Sequence, residues 1–315
     1  MERNQSIDLI KIIAMILIVR MHAGINHSLA YFAPIDMLHG IISPAVPLFF
    51  MVSGFLMQSK MPDYKYIFNK IGRILRFIYI VIPISCLLTG IFEHHPRPHS
   101  LYGWFIGRGN LWQFWYFGAT IILYLIAPYV CQWVASKKAH FLLAATGVIC
   151  TIVVILNVYF QFEEQYTILT FRLWTWLFYF VLGACIKQYG CSPRVNWLWV
   201  LIAMGTAGVF INTHLTPKFD FLYGSMVCAF YAYCIFCASL NTSIHKSNII
   251  SQLSALFLPV YTIHPFVYQW YEHYVSWDIY PRMQGTICFL TVLGLTFCIS
   301  FILVKTPYVK NIFRI

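Results

Sequence analysis

The chain alternates between long apolar runs and short interruptions that carry most of the charges, prolines, glycines and asparagines. A helix that crosses the hydrocarbon core of a bilayer needs about 20 mainly apolar residues. Cutting the chain at the interruptions gives ten such segments, with approximate limits 7–26, 36–57, 73–92, 113–134, 141–160, 171–187, 196–212, 221–240, 249–272 and 284–304. The pattern predicts an all-α polytopic membrane protein with about ten transmembrane helices, forming a single integral-membrane domain over residues 1–315.

Composition strengthens this prediction. Of the 315 residues, 60% are hydrophobic and only 10% are charged, whereas about a quarter of the residues of a soluble domain are charged. So few charges cannot coat a water-soluble body of this size, which excludes a soluble enzyme, a nucleic-acid binder and a disordered tail. The net charge of +11 therefore indicates membrane orientation and contact with membrane lipid.

The basic residues predict that orientation. If the amino terminus is cytoplasmic, fourteen basic residues lie inside: Arg3, Lys60, Lys65, Lys70, Arg73, Arg76, Lys137, Lys138, Lys187, Arg194, Lys246, Lys305, Lys310 and Arg314. Five lie outside: Arg97, Arg108, Arg172, Lys218 and Arg282. Because cytoplasmic loops carry the excess of Lys and Arg, we expect both termini inside and a multi-pass protein of the inner (plasma) membrane.

The first apolar segment contains four ionisable side chains. Each costs about 2.5 to 3.5 kcal/mol on insertion scales, so such residues usually face a polar cavity and serve a function. Lys11 and His22 are eleven residues apart, which places them on one helix face about 16 Å from each other. Asp8 joins that face one turn before Lys11. Arg20 points to the opposite side, so it needs a separate partner or must extend toward the interface.

His22 has two interpretations. It is either a helix-end histidine hydrogen-bonded to a loop at the membrane interface, or a functional group. The aligned Lys11 favours function, because packing does not account for a polar stripe along one helix. A neutral imidazole is also a competent general base near pH 7.

Six motifs, in order, carry a resemblance to a known family. They are Asp8 with Lys11 and His22, FFMVSGFLM at 49–57, RILR at 73–76, FWYFGATIILYLIAP at 114–128, FYFVLGACI at 178–186 and LPVYTIHPF at 258–266. Together they resemble the membrane acyltransferase 3 family over nearly the whole chain. The family usually has Arg where this chain has Lys11, and Lys keeps the charge but lacks the planar fork needed for a bidentate contact.

The resemblance implies an enzyme that takes an acyl group, most often acetyl, from cytoplasmic acetyl-CoA or another acyl-CoA. The acceptor is a hydroxyl of an extracytoplasmic or lipid-linked glycan. His22 is then the catalytic residue, supported by Lys11 and Asp8, and the reaction needs no metal. Arg73 and Arg76, one helical turn apart, would clamp the phosphates of coenzyme A; the alternative is ordinary cytoplasmic charge.

The late segment IHPFVYQWYEHY supplies further candidates. We expect His264, Tyr261 and Glu272 to orient the acceptor, although Glu272 could simply cap its helix in solvent. The histidines of the loop GIFEHHPRPHS, His94, His95 and His99, invite a metal interpretation, but no acidic or thiol ligand is spaced to complete a site. Cys234 and Cys237 have C-x-x-C spacing inside an apolar run, and we interpret them, like Ser53 and Gly54, as packing residues.

Two other functions fit the same pattern. Helices with buried charge also suit a transporter of small solutes or amino acids, although the inverted repeats typical of carriers are not evident in the sequence. The third possibility is a non-catalytic partner in glycan export. The sequence leaves open the identity of the acceptor, acetyl against succinyl transfer, direct transfer against an acyl-histidine relay, and the oligomeric state.

Overall fold

A computed structural model of the chain describes residues 4–23, 35–93, 100–136, 138–160, 167–214, 223–275 and 284–313. Within these ranges every regular element is a helix, which confirms the all-α prediction. The helices are α1 (Gln5–His22), α2 (Ile35–Ile42), α3 (Ala45–Lys60), α4 (Tyr64–Glu93), α5 (Ser100–Ile106), α6 (Trp115–Ala135), α7 (Ala139–Phe160), α8 (Leu173–Tyr189), α9 (Trp197–His214), α10 (Met226–Asn241), α11 (Asn248–Ala255), α12 (Phe257–Tyr274), α13 (Gln284–Lys305) and α14 (Pro307–Ile312). Short 3₁₀ turns, Trp112–Phe114 and Leu169–Phe171, precede α6 and α8.

Five described stretches are long and apolar enough to cross a membrane: Leu38–Lys60, Tyr64–Leu88, Trp112–Ala135, Ala139–Asn157 and Gln284–Lys305. The helices α11 and α12, bent by 53° at their break, are long and apolar enough only as a pair, and they form either a sixth, broken span or a re-entrant loop. Two further helical stretches, Trp197–Val209 and Met226–Asn241, are apolar but shorter. The chain is therefore a multi-pass membrane protein, while the count of ten spans and the cytoplasmic termini stay predictions.

Two predicted segments are each split into two helices. The segment 36–57 forms α2 and α3 around a two-residue turn, and the segment 249–272 forms α11 and α12 around Leu256. Pro47 and Pro259 stand in the first turn of the second helix of each pair. The missing N–H of proline is tolerated there, because first-turn N–H groups have no partner within the helix.

The third apolar helix begins earlier than its predicted start at residue 73. The helix α4 starts at Tyr64, and the side chain of Asp63 accepts a hydrogen bond from the Tyr66 N–H at 2.7 Å. This contact satisfies one of the unpaired N–H groups of the first turn. Arg73 and Arg76 therefore lie well inside the helix.

The chain forms two compact units. Unit 1 comprises Met1–Val52 and Cys191–Lys310, and unit 2 comprises Ser53–Gly190 and Asn311–Ile315. The boundary falls within α3. The single domain expected from the sequence remains a prediction.

Unit 1 is organised around α1. This helix packs against α2, α10, α11, α12 and α13, and apolar residues such as Ile10, Ala14 and Met15 are fully buried along it. Its central place also carries the charged Asp8 and Arg20 into the interior. Cys234 and Cys237 are buried in α10 and form no disulfide, as the packing interpretation predicts.

Unit 2 is organised around α6, which packs against α4, α5, α7 and α8. The indole of Trp115 in its first turn lies 5.1 Å from that of Trp176 in α8, centroid to centroid. Gly54 of α3 lies against the backbone carbonyl of Phe180 in α8, so closely that a Cβ atom there would overlap it. The packing interpretation of Gly54 is therefore confirmed, and Ser53 lies within hydrogen-bonding distance of the Tyr116 hydroxyl, at 3.3 Å.

Candidate active site

The amino-terminal half of α1 holds a buried carboxylate. Asp8 is 3% exposed, and its Oδ1 accepts a hydrogen bond from the Ser254 hydroxyl of α11 at 2.7 Å. The ammonium group of Lys11 lies 3.9 Å from the same oxygen, and its side chain is 27% exposed. A buried carboxylate is costly unless it is paired and hydrogen-bonded, and Asp8 meets both conditions.

A second polar contact joins the same two helices. The side-chain amide of Gln5 donates to the Ser251 hydroxyl at 2.8 Å, one turn of α11 before Ser254. Two serines spaced three residues apart therefore bond two α1 residues spaced three apart. These directional contacts set the register of α1 against α11 and hold Lys11 in place.

The carboxyl end of α1 presents a pair of imidazoles. His22 is the last residue of α1, and its ring stacks on that of His264 in α12, with centroids 5.3 Å apart and planes inclined by 19°. His22 is partly exposed and His264 is fully buried. The accessible imidazole thus rests on a buried one.

The buried ring is held in one orientation. Its Nδ1 lies 3.0 Å from the Val260 carbonyl oxygen, and because a carbonyl only accepts, Nδ1 carries the proton. The ring of Tyr261 lies 6.1 Å from His264 and 6.4 Å from Phe49 of α3, between centroids. His264 is thus fixed from one side by a backbone bond and from another by aromatic rings.

Arg20 has partners of its own, on the side of α1 that the sequence predicts. The guanidinium is buried, and its Nη1 donates to the carbonyl oxygens of Ala23 and Gly285, each at 3.0 Å. Its carbon Cζ lies 5.2 Å from the centre of the Phe289 ring. Because Ala23 caps α1 and Gly285 opens α13, Arg20 ties down the helix end that carries His22.

Glu272 lies about two turns beyond His264 on α12 and is exposed. Its carboxylate accepts a short hydrogen bond from the Tyr268 hydroxyl. Its exposed position agrees with the interpretation that it caps its helix in solvent. The contacts described for Glu272 do not include His22 or His264.

The expected donor site belongs to unit 2. Arg73 and Arg76 are both exposed, one turn apart on α4, with Lys65 exposed and Lys70 half-buried on the same helix. The helix therefore places the two residues one turn apart, as the sequence implies. The contacts of this cluster with a ligand remain a prediction.

The structure thus brings Asp8 together with Lys11, and His22 together with His264. Sequence reasoning missed Ser251 and Ser254, for which the only signal was their helical spacing within an apolar segment. His94, His95 and His99, weighed as metal ligands, lie outside the described residues.

Comparisons with known proteins match the chain to one family and to two relatives. Residues 4–305 match a family profile described as an acyltransferase domain. Two relatives from Enterococcus faecalis are each named amino-acid racemase; one is 23% identical over 96% of this chain and 46% of its own length, the other 29% identical over 46% and 21%. The chain therefore spans less than half of the length of each of these relatives. No solved structure matches it significantly. Because the family profile covers nearly the whole chain, the protein belongs to the acyltransferase 3 family.

Proposed function

We propose that the protein transfers an acyl group, acetyl in the first instance, from acetyl-CoA or another acyl-CoA to a hydroxyl of an extracytoplasmic or lipid-linked glycan. Membership of the family supports acyl transfer. The observation that carries the catalytic assignment is the stacked pair of His22 and His264 at the end of the central polar helix of unit 1. An accessible imidazole fixed by a buried one is suited to moving a proton at a defined point.

The proposed reaction is a direct transfer. Neutral His22 takes the proton of the acceptor hydroxyl as the oxygen attacks the thioester carbonyl carbon. The carbon–sulfur bond then breaks, and the departing coenzyme A thiolate takes the proton back from the imidazolium. The products are an acyl ester and free coenzyme A, and His22 returns to its neutral state.

The other polar residues of α1 serve positioning in this proposal. Lys11 keeps a partly exposed positive charge next to the buried carboxylate of Asp8. Its ammonium group positions the donor arm, and Asp8 holds the ammonium in place through the contact that Ser254 completes. We propose Arg73 and Arg76 as the groups that bind the phosphates of coenzyme A, since both guanidinium groups are exposed and one turn apart.

Topology supports the donor assignment. We propose that both termini are cytoplasmic in the inner membrane, because Lys and Arg favour that side of the loops. The segment between Lys60 and Lys70 then faces the cytoplasm, where acyl-CoA is made. A cysteine introduced in this segment should be protected from membrane-impermeant reagents in intact cells. Labelling from outside would contradict a cytoplasmic donor site.

The decisive assay uses the purified protein, radiolabelled acetyl-CoA and glycans extracted from cell envelopes. The proposal predicts label on the glycan with the wild type and none with His22→Ala. Incubation with donor alone then separates two mechanisms: stable label on His22 would indicate an acyl-histidine relay, and its absence favours direct transfer. An active His22→Ala enzyme would contradict both.

A second candidate is movement of an amino acid across the membrane. It is favoured by the bend between α11 and α12, since broken helices are common at the binding sites of carriers. The two relatives are named for acting on amino acids, which suggests the solute to test. Proteoliposomes that take up labelled amino acids without any acyl-CoA would support it. Uptake no faster than in empty vesicles, together with label transfer to glycan, would exclude it.

A further inference from the structure

One nitrogen of the histidine pair is buried without a partner. His264 has no exposed surface, and its Nε2 makes no hydrogen bond to any residue that the structure describes. The other ring nitrogen, Nδ1, is bonded to the Val260 carbonyl. The unpartnered atom therefore belongs to a ring that the protein holds rigidly in place.

The tautomer decides what this nitrogen can bind. In a neutral imidazole one nitrogen donates and the other accepts. Because Nδ1 donates to Val260, Nε2 carries a lone pair and can only accept. A buried acceptor left unsatisfied costs about 1 to 3 kcal/mol, so the group that binds beside it must be a hydrogen-bond donor.

The proton balance of the proposed reaction limits which group can donate a hydrogen bond to Nε2 of His264. The attacking hydroxyl has one proton, and that proton goes to His22. It is not available to His264, although the two rings are stacked 5.3 Å apart. The donor to Nε2 must therefore be a different group.

We propose that this group is a second hydroxyl of the same acceptor, an inference that rests on the proposed acyl transfer. The acceptor is then a polyol in which one hydroxyl reacts at His22 and a neighbouring hydroxyl donates to His264. His264 is a positioning residue in this arrangement. Since its lone pair points in a fixed direction, it selects which hydroxyl of the sugar reaches His22 and so which position is acylated.

Two substitutions separate this role from a structural one. His264→Asn keeps a donor in the place of Nδ1, where it can bond Val260, but removes the acceptor at Nε2. His264→Gln places an amide oxygen near the Nε2 position and gives up the Val260 bond. If His264 is purely structural, Asn is the better replacement, because it keeps the bond to Val260. If the proposal holds, Gln is the better replacement, because it keeps the acceptor near the Nε2 position.

The experiment measures transfer from labelled acetyl-CoA to the extracted glycan, and maps the acetylated position by NMR. We expect His264→Asn to lose at least about ten-fold in kcat/KM for the glycan and to spread acetyl over several hydroxyls. His264→Gln should stay within about three-fold of the wild type and keep a single position. Donor binding by calorimetry should be the same in all three proteins, and thermal melting reports their folding.

The outcomes are distinguishable. A wild type that labels no glycan would overturn the proposed function, and this inference with it. If the wild type is active but His264→Asn performs as well as His264→Gln, the inference alone fails. If His264→Asn is slower but acetylates the same position as the wild type, the donor to Nε2 is a water molecule, which also overturns the proposal.

Discussion

Each of the two units is built around one helix, and the two central helices differ in their content of charged residues. The helix α1 of unit 1 contains Asp8, Lys11, Arg20 and His22, whereas α6 of unit 2 contains no charged residue in its 21 positions. Both are surrounded by other helices of their unit. Ionisable groups inside a membrane protein are costly and are usually kept for function, so we expect the chemistry at α1 and structural support from α6.

The two helices are also held by different forces. Contacts of α1 include directed bonds such as Ser254 to Asp8 and Arg20 to Gly285, which fix individual side chains. Contacts of α6 include aromatic packing such as Trp115 against Trp176, and nearby Gly54 brings α3 against α8. We therefore expect substitutions around α1 to change the rate of transfer and substitutions around α6 to change folding.

The largest effect should come from His22→Ala. A general base is worth about 10² to 10⁴ in rate, so transfer should fall by at least that range while thermal stability stays close to that of the wild type, because His22 is partly exposed. The matched control is His140→Ala, which removes an exposed histidine of unit 2 that contacts Tyr189. If both variants lose the same activity, the assignment to α1 fails.

The next effect concerns the donor. Arg73→Ala and Arg76→Ala should each weaken use of acyl-CoA by about 1.5 to 3 kcal/mol, the range for hydrogen bonds to charged groups. The loss should appear in the KM of the donor and not in kcat, because these arginines lie in unit 2 and take no part in proton transfer. If calorimetry shows unchanged donor binding in the double variant, the two arginines do not bind the donor and serve only as cytoplasmic charges that orient the chain.

Gly54 tests the packing side of the comparison. Gly54→Ala places a Cβ atom against the Phe180 carbonyl, and overpacking of this kind costs about 1 to 3 kcal/mol. We expect a lower melting temperature and lower yield, with normal activity per folded molecule. Gly72→Ala on α4 is the control: nothing lies within 4 Å of its Cβ position, so it should match the wild type or gain about 0.5 to 1 kcal/mol.

The smallest expected effect comes from a comparison of two buried arginines, Arg20 and Arg172. Arg20→Lys keeps the charge but loses the planar guanidinium whose Nη1 bonds both the Ala23 and Gly285 carbonyls. We therefore expect kcat to fall several-fold, about 1 kcal/mol, with little change in the donor KM. Arg172 of unit 2 is also buried, and its Nε donates to the Thr167 carbonyl at 3.3 Å. Arg172→Lys should cost stability alone; an equal loss of kcat there would mean that Arg20 has no special link to His22.

Much of α1 could be predicted from the sequence. The helical period put Asp8 next to Lys11 and turned Arg20 away from them, and both features are present. Period alone could not name the distant partners of these residues, because the Ser254 hydroxyl and the Gly285 carbonyl come from positions more than 240 residues away along the chain. The stacking of His22 on His264 is of the same kind.

The helix breaks were harder to predict. Hydropathy treats 36–57 and 249–272 as continuous runs, because an average over about 20 residues is little changed by the short breaks at residues 43–44 and at Leu256. Pro47 and Pro259 stand in the first turn of a new helix, where proline is well tolerated. Proline alone could not mark the breaks, because Pro83, Pro128 and Pro265 lie inside continuous helices of the same chain.

The central claim is that His22 of α1 is the base, and the pH dependence of transfer tests it most directly. Label transfer per folded molecule is measured from about pH 5 to pH 9, across the range in which histidine changes charge, for the wild type and for His22→Ala. Protonation removes the base, so the wild-type rate should rise with pH and level off once the imidazole is neutral. Any residual rate of His22→Ala should lack this rise. A wild-type rate that falls as the pH rises, or the same rise in the variant, would contradict the assignment.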